Sequence, residues 1–347
     1  MAQVLNASNT SGVYIKLETT AGQWVAPAGS DFVPVVGTPK FTPRGPGIIR
    51  RADVMTPYGG ELAAKTGGIG WDISFTTELY WNFGSNAFTA NPTGNQTVLY
   101  ALLRSCPFTI ATGGAYDFKF ISQAIYDLAQ NRSSANNQCA TFSIAYEEIG
   151  AKRYEAKGCV CIPKFSFEAG GKIMVEWSIK GQWRPVTNTG TALVPTYNYY
   201  APLIGINATL SATTPINSST SALAKVAYDP GFALSDVLDA QEEYGMGIAM
   251  IALTSSPSIE IEVADLSEAL QPDWGDAEGN VIGGTAFDVT LTIAANTSVV
   301  FSLNEPQLVQ WPTPGESNGY RNIGLKFAGI VNANSVADIG SIGFYSA

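Results

Sequence analysis

Apolar and polar residues alternate with a period of two along most of this chain, and helical periodicity is confined to short stretches. At 71–76, Trp71, Ile73 and Phe75 alternate with Asp72, Ser74 and Thr76; at 259–263, Ile259, Ile261 and Val263 alternate with Glu260 and Glu262. Successive side chains of a strand point to opposite faces, so each segment predicts a strand with one apolar and one polar face. Each is expected as the second arm of a long hairpin, one running from Ile48 to Trp81, the other with a first arm from Phe232 to Ala240. A paired run follows the first hairpin: Phe165/Phe167 and Ile173/Val175/Trp177/Ile179, turned at Ala169-Gly170-Gly171 and ending at Gly181. Residues 306–329 repeat that plan, with PQLVQW leading through an expected turn at Pro312–Gly315 to Ile323, Leu325 and Phe327 and ending at Gly329.

Further strands are expected at Val13–Leu17, Tyr116–Ile121, Phe142–Tyr146, Lys152–Ile162 and, in the alternation of Phe287, Val289, Leu291 and Ile293, near the end. The stretch VAPAGSDFVPVVGTPKFTPRGPG, dense in Pro and Gly, reads as an extended arm or loop. One helix stands out: Asn95 can cap it, Val98, Leu99, Leu102 and Leu103 form its stripe, and Cys106-Pro107 ends it. Short helical pieces are expected at Ser122–Gln130 and at Leu266–Trp274, the latter as helix or loop. Between Pro185 and about Ser221 the Thr, Asn, Pro and Ser content is that of a linker or a surface loop. The expected class is therefore all-β with minor helices, as two tandem units, 1–195 and 196–347, each a β-sandwich or half-barrel with a long hairpin and a short helix on the sheet. The small, apolar tail ANSVADIGSIGFYSA is expected to dock on the body.

With 347 residues, each unit can bury a core without disulfides or metals. The formal charge of −10 is unevenly shared: residues 1–190 carry 16 Lys+Arg and 13 Asp+Glu, the rest 3 and 16. An acidic half serves solubility; unlike halves set side by side in a ring would also fix register. The start has no basic segment followed by an apolar one, and no window approaches a membrane span, so a soluble protein kept inside a cell is expected. Seven N-x-S/T sequons then read as chance. Cys159 and Cys161, two apart on a strand, face one side about 7 Å apart, unlike a C-x-x-C site. With Cys106 and Cys139 they are expected as reduced, small core residues, with a disulfide as the alternative.

Without histidine the chain cannot build a Ser-His-Asp or Cys-His nucleophile or an imidazole metal site. Glu147-Glu148 and Glu242-Glu243 are adjacent pairs, which strands send to opposite faces. Gly245-Met246-Gly247 lacks the third glycine of a dinucleotide loop, and Asp273, Asp276 and Glu278 lack EF-hand spacing. No enzyme activity, cofactor or metal is expected. Lys and Arg form no stripe with exposed aromatics, so specific nucleic-acid binding is not expected either.

The run Val98–Phe108 after a long hairpin resembles the helix of bacteriophage tail tube (major tail) proteins. Ala151–Gly181 resembles the strand pair that follows it there, and Thr285–Gly329 the closing strands. Pro107 departs from the family, which often has Gly at that place. The resemblance implies stacked rings whose long hairpins line an inner β-barrel through which DNA leaves the capsid. With two tandem tube domains per chain it implies homotrimeric, pseudo-hexameric rings in a virion tail assembled in the host bacterial cytoplasm. It also implies tape-measure protein and DNA in the lumen without specific binding, tail terminator and baseplate or distal tail proteins at the ends, and no membrane. On that reading Asp72, Ser74, Thr76, Glu260 and Glu262 are lumen-facing candidates, their alternative being an ordinary solvated outer face. Trp71, Ile73, Phe75, Ile259, Ile261 and Val263 are the core or inter-subunit candidates. Two rival readings are a ring-forming distal tail or tail-completion protein, and, from another class, a secreted carbohydrate-binding β-sandwich.

Overall fold

The computed structural model describes residues 12–45, 48–51, 62–80, 96–106, 108–112, 115–120, 140–148, 152–188, 192–195, 202–210, 222–264, 287–294, 297–303, 306–317, 320–329 and 340–345. The first half contributes β1 (Gly12–Leu17), β2 (Phe32–Val33), β3 (Val36–Arg44), β4 (Ile48–Arg51), β5 (Leu62–Thr66), β6 (Gly70–Glu78), α1 (Gln96–Arg104), β7 (Phe108–Thr112), β8 (Ala115–Phe120), β9 (Phe142–Glu148), β10 (Lys152–Glu168), β11 (Met174–Trp183) and β12 (Thr187–Asn188). The second contributes β13 (Ala208–Leu210), β14 (Ala222–Asp229), β15 (Phe232–Ser235), β16 (Met250–Leu253), β17 (Ser258–Ala264), β18 (Phe287–Ala294), β19 (Thr297–Leu303), β20 (Pro306–Ser317), β21 (Tyr320–Gly329) and β22 (Gly340–Tyr345). The protein is all-β with minor helices, as its alternation predicts. The expected pieces Ser122–Gln130 and Leu266–Trp274, and the Asn95 cap, lie outside the described residues.

Eight strands form one antiparallel run in the order β3-β6-β11-β10-β14-β17-β21-β20. The same plan occurs twice in it. A hairpin's first arm, its second arm, then the second and first strands of the following pair give β3-β6-β11-β10, and then β14-β17-β21-β20. Each hairpin breaks midway, so that its far part pairs separately, β4 with β5 and β15 with β16. Both breaks fall at a glycine in the left-handed region, Gly45 (φ 135) and Gly231 (φ 75). A Cβ would lie 1.9 Å from the Gly68 carbonyl oxygen at the first and 2.2 Å from that of Ser255 at the second, so only glycine permits the arms to approach so closely.

Behind this run lies a second layer. In the first half β1 pairs with β9 and β9 with the opening part of β10; in the second, β13 pairs with β18 and β18 with β19. The strand β10 serves both layers by bulging at Gly158 (φ 58), where its register shifts against β9 and β11 alike. The second half reaches the same result with two strands, β19 and β20. Helix α1 packs on β1 and β10 and buries Leu99, Leu102 and Leu103. The tail expected to dock does so: β22 lies between β19 and β8.

Three local expectations are corrected. The Pro-rich stretch read as an arm or loop contains β3, which runs past Pro39 and Pro43; an edge strand tolerates positions that cannot donate. The turn expected at Pro312–Gly315 is absent, because β20 continues to Ser317, with Pro312 in a register shift between Gln310 and Thr313 and Pro314 in register opposite Ile323. The second hairpin's first arm begins at Ala222 rather than Phe232 and ends at Ser235. Near the expected boundary, Leu193 is docked on the first half, donating its N–H to Glu147 and accepting from the Tyr14 hydroxyl. Two ladders, β10–β14 and β8–β22, join strands from either side of residue 195.

The buried face of the main sheet and the second layer share one apolar core, which includes Ile15, Trp71, Phe142, Trp177 and Phe301. At the β10–β14 seam the rings of Phe165, Tyr228 and Phe301 pack together at centroid distances of 5.4–6.3 Å. One carboxylate is embedded among strands. Glu18, 1% exposed, accepts hydrogen bonds from Gly22 N (2.8 Å), Thr141 Oγ1 (2.6 Å), Ser143 Oγ (2.8 Å) and Gly158 N (2.8 Å), and so braces the β10 bulge. Burial raises its pKa above the ordinary 4.5, against the lowering effect of the four donors. A raised folded-state pKa means that this group's contribution to stability is full below 4.5 and declines as pH rises through the folded value. Glu18→Gln should lose about 1–3 kcal/mol at pH 7, since its amide N–H meets donors, and should flatten stability against pH above 4.5 in urea titrations.

Candidate assembly surface

The two faces of the eight-stranded run differ as the alternation requires. Trp71, Ile73, Phe75, Ile259, Ile261 and Val263 are all buried beneath the second layer. Asp72, Ser74, Thr76, Glu260 and Glu262 share the opposite face, which the second hairpin's far part covers in part, at Val160 and beside Lys180. The ladders place Asp72 opposite Lys180, Ser74 opposite Ser178 and Glu260 opposite Lys326. The two segments singled out in sequence thus occupy equivalent positions in the two copies of the strand plan.

Five cations of this face stand beside carboxylates, while Lys40 lies opposite Ser74 in the ladder. Lys164 meets Asp229 at 2.7 Å across the seam, Lys225 meets Glu262 at 3.7 Å, and Lys172 pairs with Glu78. Arg44 lies 3.2 Å from Asp72, and Lys180 lies 3.8 Å from Asp72 and 2.7 Å from Asp236. Exposed pairs of this kind contribute only about 0–1 kcal/mol each. Their consequence is for the field above the sheet, where positive charge is offset locally. Sequence reasoning singled out the acidic residues and missed the lysines, because their pairing is set by register between strands far apart in sequence.

The second hairpin's far part folds under the first half. Phe232, Leu234 and Ile248 pack around buried Val160, Ala249 and Ile251. Asp236 ion-pairs with Arg44, Lys157 meets Glu242 at 3.2 Å, Gln182 Nε2 donates to the Met246 carbonyl at 2.9 Å, and Ile69 N donates to that of Tyr244 at 2.9 Å. Gly245, considered above for a dinucleotide loop, lies in this anchoring loop against Gly68. Glu242 is engaged by Lys157, and Glu147 by Arg153 at 3.3 Å, so neither stands as one member of a carboxylate dyad.

Among the described residues two strands of the run have one ladder partner each: β3 pairs only with β6, and β20 only with β21. These are the unlike ends of one repeating order, the first arm of a hairpin and the first strand of a closing pair. Inside the chain the same two strand types meet at β10–β14, with Phe165 opposite Tyr228 and Glu168 opposite Lys225. Among the described residues no group of three or more His, Cys, Asp or Glu could hold a metal, and no helix is long and apolar enough to cross a membrane. No family model matches the chain, and no curated protein matches it.

Arg44, whose side chain is 7% exposed, also donates to the Trp71 carbonyl at 3.2 Å, so it joins β3, β6 and the second hairpin. Arg44→Ala would leave Asp72 and Asp236 sharing Lys180 alone. The expected cost is about 1–3 kcal/mol, below that of a fully buried pair because both carboxylates are partly hydrated. It would be read as a lower urea midpoint at unchanged m-value, with Lys40→Ala, at an exposed position of the same sheet, as the control.

Proposed function

We propose that this chain is a non-enzymatic structural protein in which two tandem tube domains supply a third of a ring, and that stacked rings form a phage tail tube through which DNA passes. The observation that carries the reading is the β10–β14 seam. It joins the closing pair of one strand set to the hairpin of the next, and the chain ends in the same two unsatisfied edges. Repeating that seam between copies pairs β20 with the next copy's β3 and leaves no edge when the ring closes, which removes the usual hazard of exposed ladders.

Three copies with eight strands each would close a barrel roughly 45–50 Å across at the backbone, from a strand spacing of about 4.8 Å and a tilt near 40°. That leaves a bore wide enough for duplex DNA after side chains are allowed for. The second layer stands outside, and the polar face lines the channel except where β15–β16 covers it. Because most of its cations are matched, by Asp229, Glu262, Asp72 and Glu78, DNA would release few counterions on contact and would slide rather than bind. The β4–β5 ribbon would lie beneath the neighbouring copy as β15–β16 lies beneath the chain's own first half. Tape-measure protein would fill the bore before DNA, and terminator and distal tail proteins would cap the tube's ends.

Purified protein is expected to form rings near three times 36.7 kDa that stack into tubes visible by negative stain. On assembly, amides of β3 and β20 should gain hydrogen-exchange protection, while those of β10 and β14 are protected in the free chain as well. A strictly monomeric species at high concentration, or rings whose β3 and β20 amides stay open, would overturn the reading. Rings that never stack would favour the single-ring distal tail alternative, and saturable polysaccharide binding the carbohydrate-binding one.

A further inference from the structure

Two of the buried thiols are not merely core filler. The Sγ atoms of Cys106, just past the end of α1, and Cys161, on β10, lie 3.4 Å apart, and both side chains are fully buried. Both thiols donate to one acceptor, the Leu102 carbonyl, at 3.2 Å from Cys106 and 3.0 Å from Cys161. The backbones are apposed as well, since Cys161 N donates to the Ser105 carbonyl at 3.5 Å. Cys159, two residues away, sits elsewhere: its sulfur fills the space where a Cβ on Gly181 would come within 2.5 Å. The sequence drew attention to Cys159 and Cys161 as a pair, but the geometry pairs Cys161 with Cys106, 55 residues distant.

We propose that Cys106 and Cys161 are an oxidation site that closes a disulfide between α1 and the bulged strand, with hydrogen peroxide as the oxidant. A bond of about 2.05 Å requires the sulfurs, now 3.4 Å apart, to approach by little more than an ångström. One thiolate attacks peroxide, forming an S–O bond as the O–O bond breaks, and gives a sulfenic acid and water once protons are balanced. The second sulfur then displaces that hydroxyl as water, so two S–H bonds are exchanged for one S–S bond and one peroxide becomes two waters. A peroxide molecule is small enough to reach this site through local opening of α1, where a bulky disulfide reagent is not. Both thiols are buried away from solvent, so the reaction is slow and governed by that opening. The outcome is a covalent tie between helix and sheet that a reduced cell would leave open and an oxidising medium would close. This inference stands independently of the tube reading.

The test treats the folded full chain with peroxide, blocks remaining thiols with iodoacetamide under denaturing conditions, and maps linkages by mass spectrometry. The expected product is a peptide pair joined through Cys106 and Cys161, two hydrogens lighter than its reduced parts. Thermal unfolding under non-reducing conditions should rise by on the order of 5 °C, because the bond closes a long loop of the unfolded chain. The rise should persist in Cys159→Ala and vanish in Cys161→Ser. Should Cys161→Ser fold poorly, Cys106→Ala gives the same contrast. Cross-links dominated by Cys159 or Cys139, over-oxidation to sulfinic acid at Cys161 without linkage, or four free thiols after prolonged treatment would each overturn the proposal.

Discussion

A β-sheet that ends must leave a row of backbone donors and acceptors facing water, and the architecture of this chain turns on where those rows are satisfied. At Phe165–Glu168 and Lys225–Tyr228 the two copies of the strand plan answer one another's edges within a single polypeptide. The seam is held by more than the ladder. Phe165 and Tyr228 are on opposite strands and Phe301 comes from the layer behind, so the rings bind both layers at the point where the copies meet. A short run of hydrogen bonds by itself would be a weak joint; backed by three buried rings it becomes part of one continuous core.

The two faces of the sheet carry different duties. The apolar face needs volume and shape, which Trp71, Trp177 and their neighbours supply. The polar face, on the proposed reading, needs to be inert, and most of its positive charges are matched by carboxylates rather than missing. On the proposed reading, an acidic second half next to a slightly basic first half follows from that matching: Lys164 finds Asp229 across the seam, and Arg44 and Lys180 find Asp236 on the second hairpin. Charge complementarity of this kind fixes which surfaces meet more than it strengthens the contact.

Much of the fold was legible wherever one face is buried and the other wet, because a strand in that position must alternate. Residues 71–76, 259–263 and 287–294 are of this kind, and the stripe of Leu99, Leu102 and Leu103 identifies α1. Strands at the margin escape the rule. With Pro39 and Pro43 in β3 and Pro312 and Pro314 in β20, the sequence resembles a loop, yet an edge strand has only one ladder to satisfy. Strand β14, with small residues at Ala222, Ala224 and Ala227, merges into the Ser/Thr-rich stretch before it. The pairing of β10 with β14 and of β8 with β22, the Arg44–Asp236 contact and the Cys106–Cys161 apposition unite residues 55 or more apart, beyond any local pattern.

The placement of β22 has a consequence for the order in which the molecule can be completed. Its six residues occupy the slot between β19 and β8, and β8 leaves the ribosome more than two hundred residues earlier. Until β22 arrives, the hairpin of β7 and β8 has no ladder to join among the described residues. Pairing over so long a separation makes the closing step slow. A body unfinished at this slot therefore displays an open ladder, and docking of β22 is what closes it.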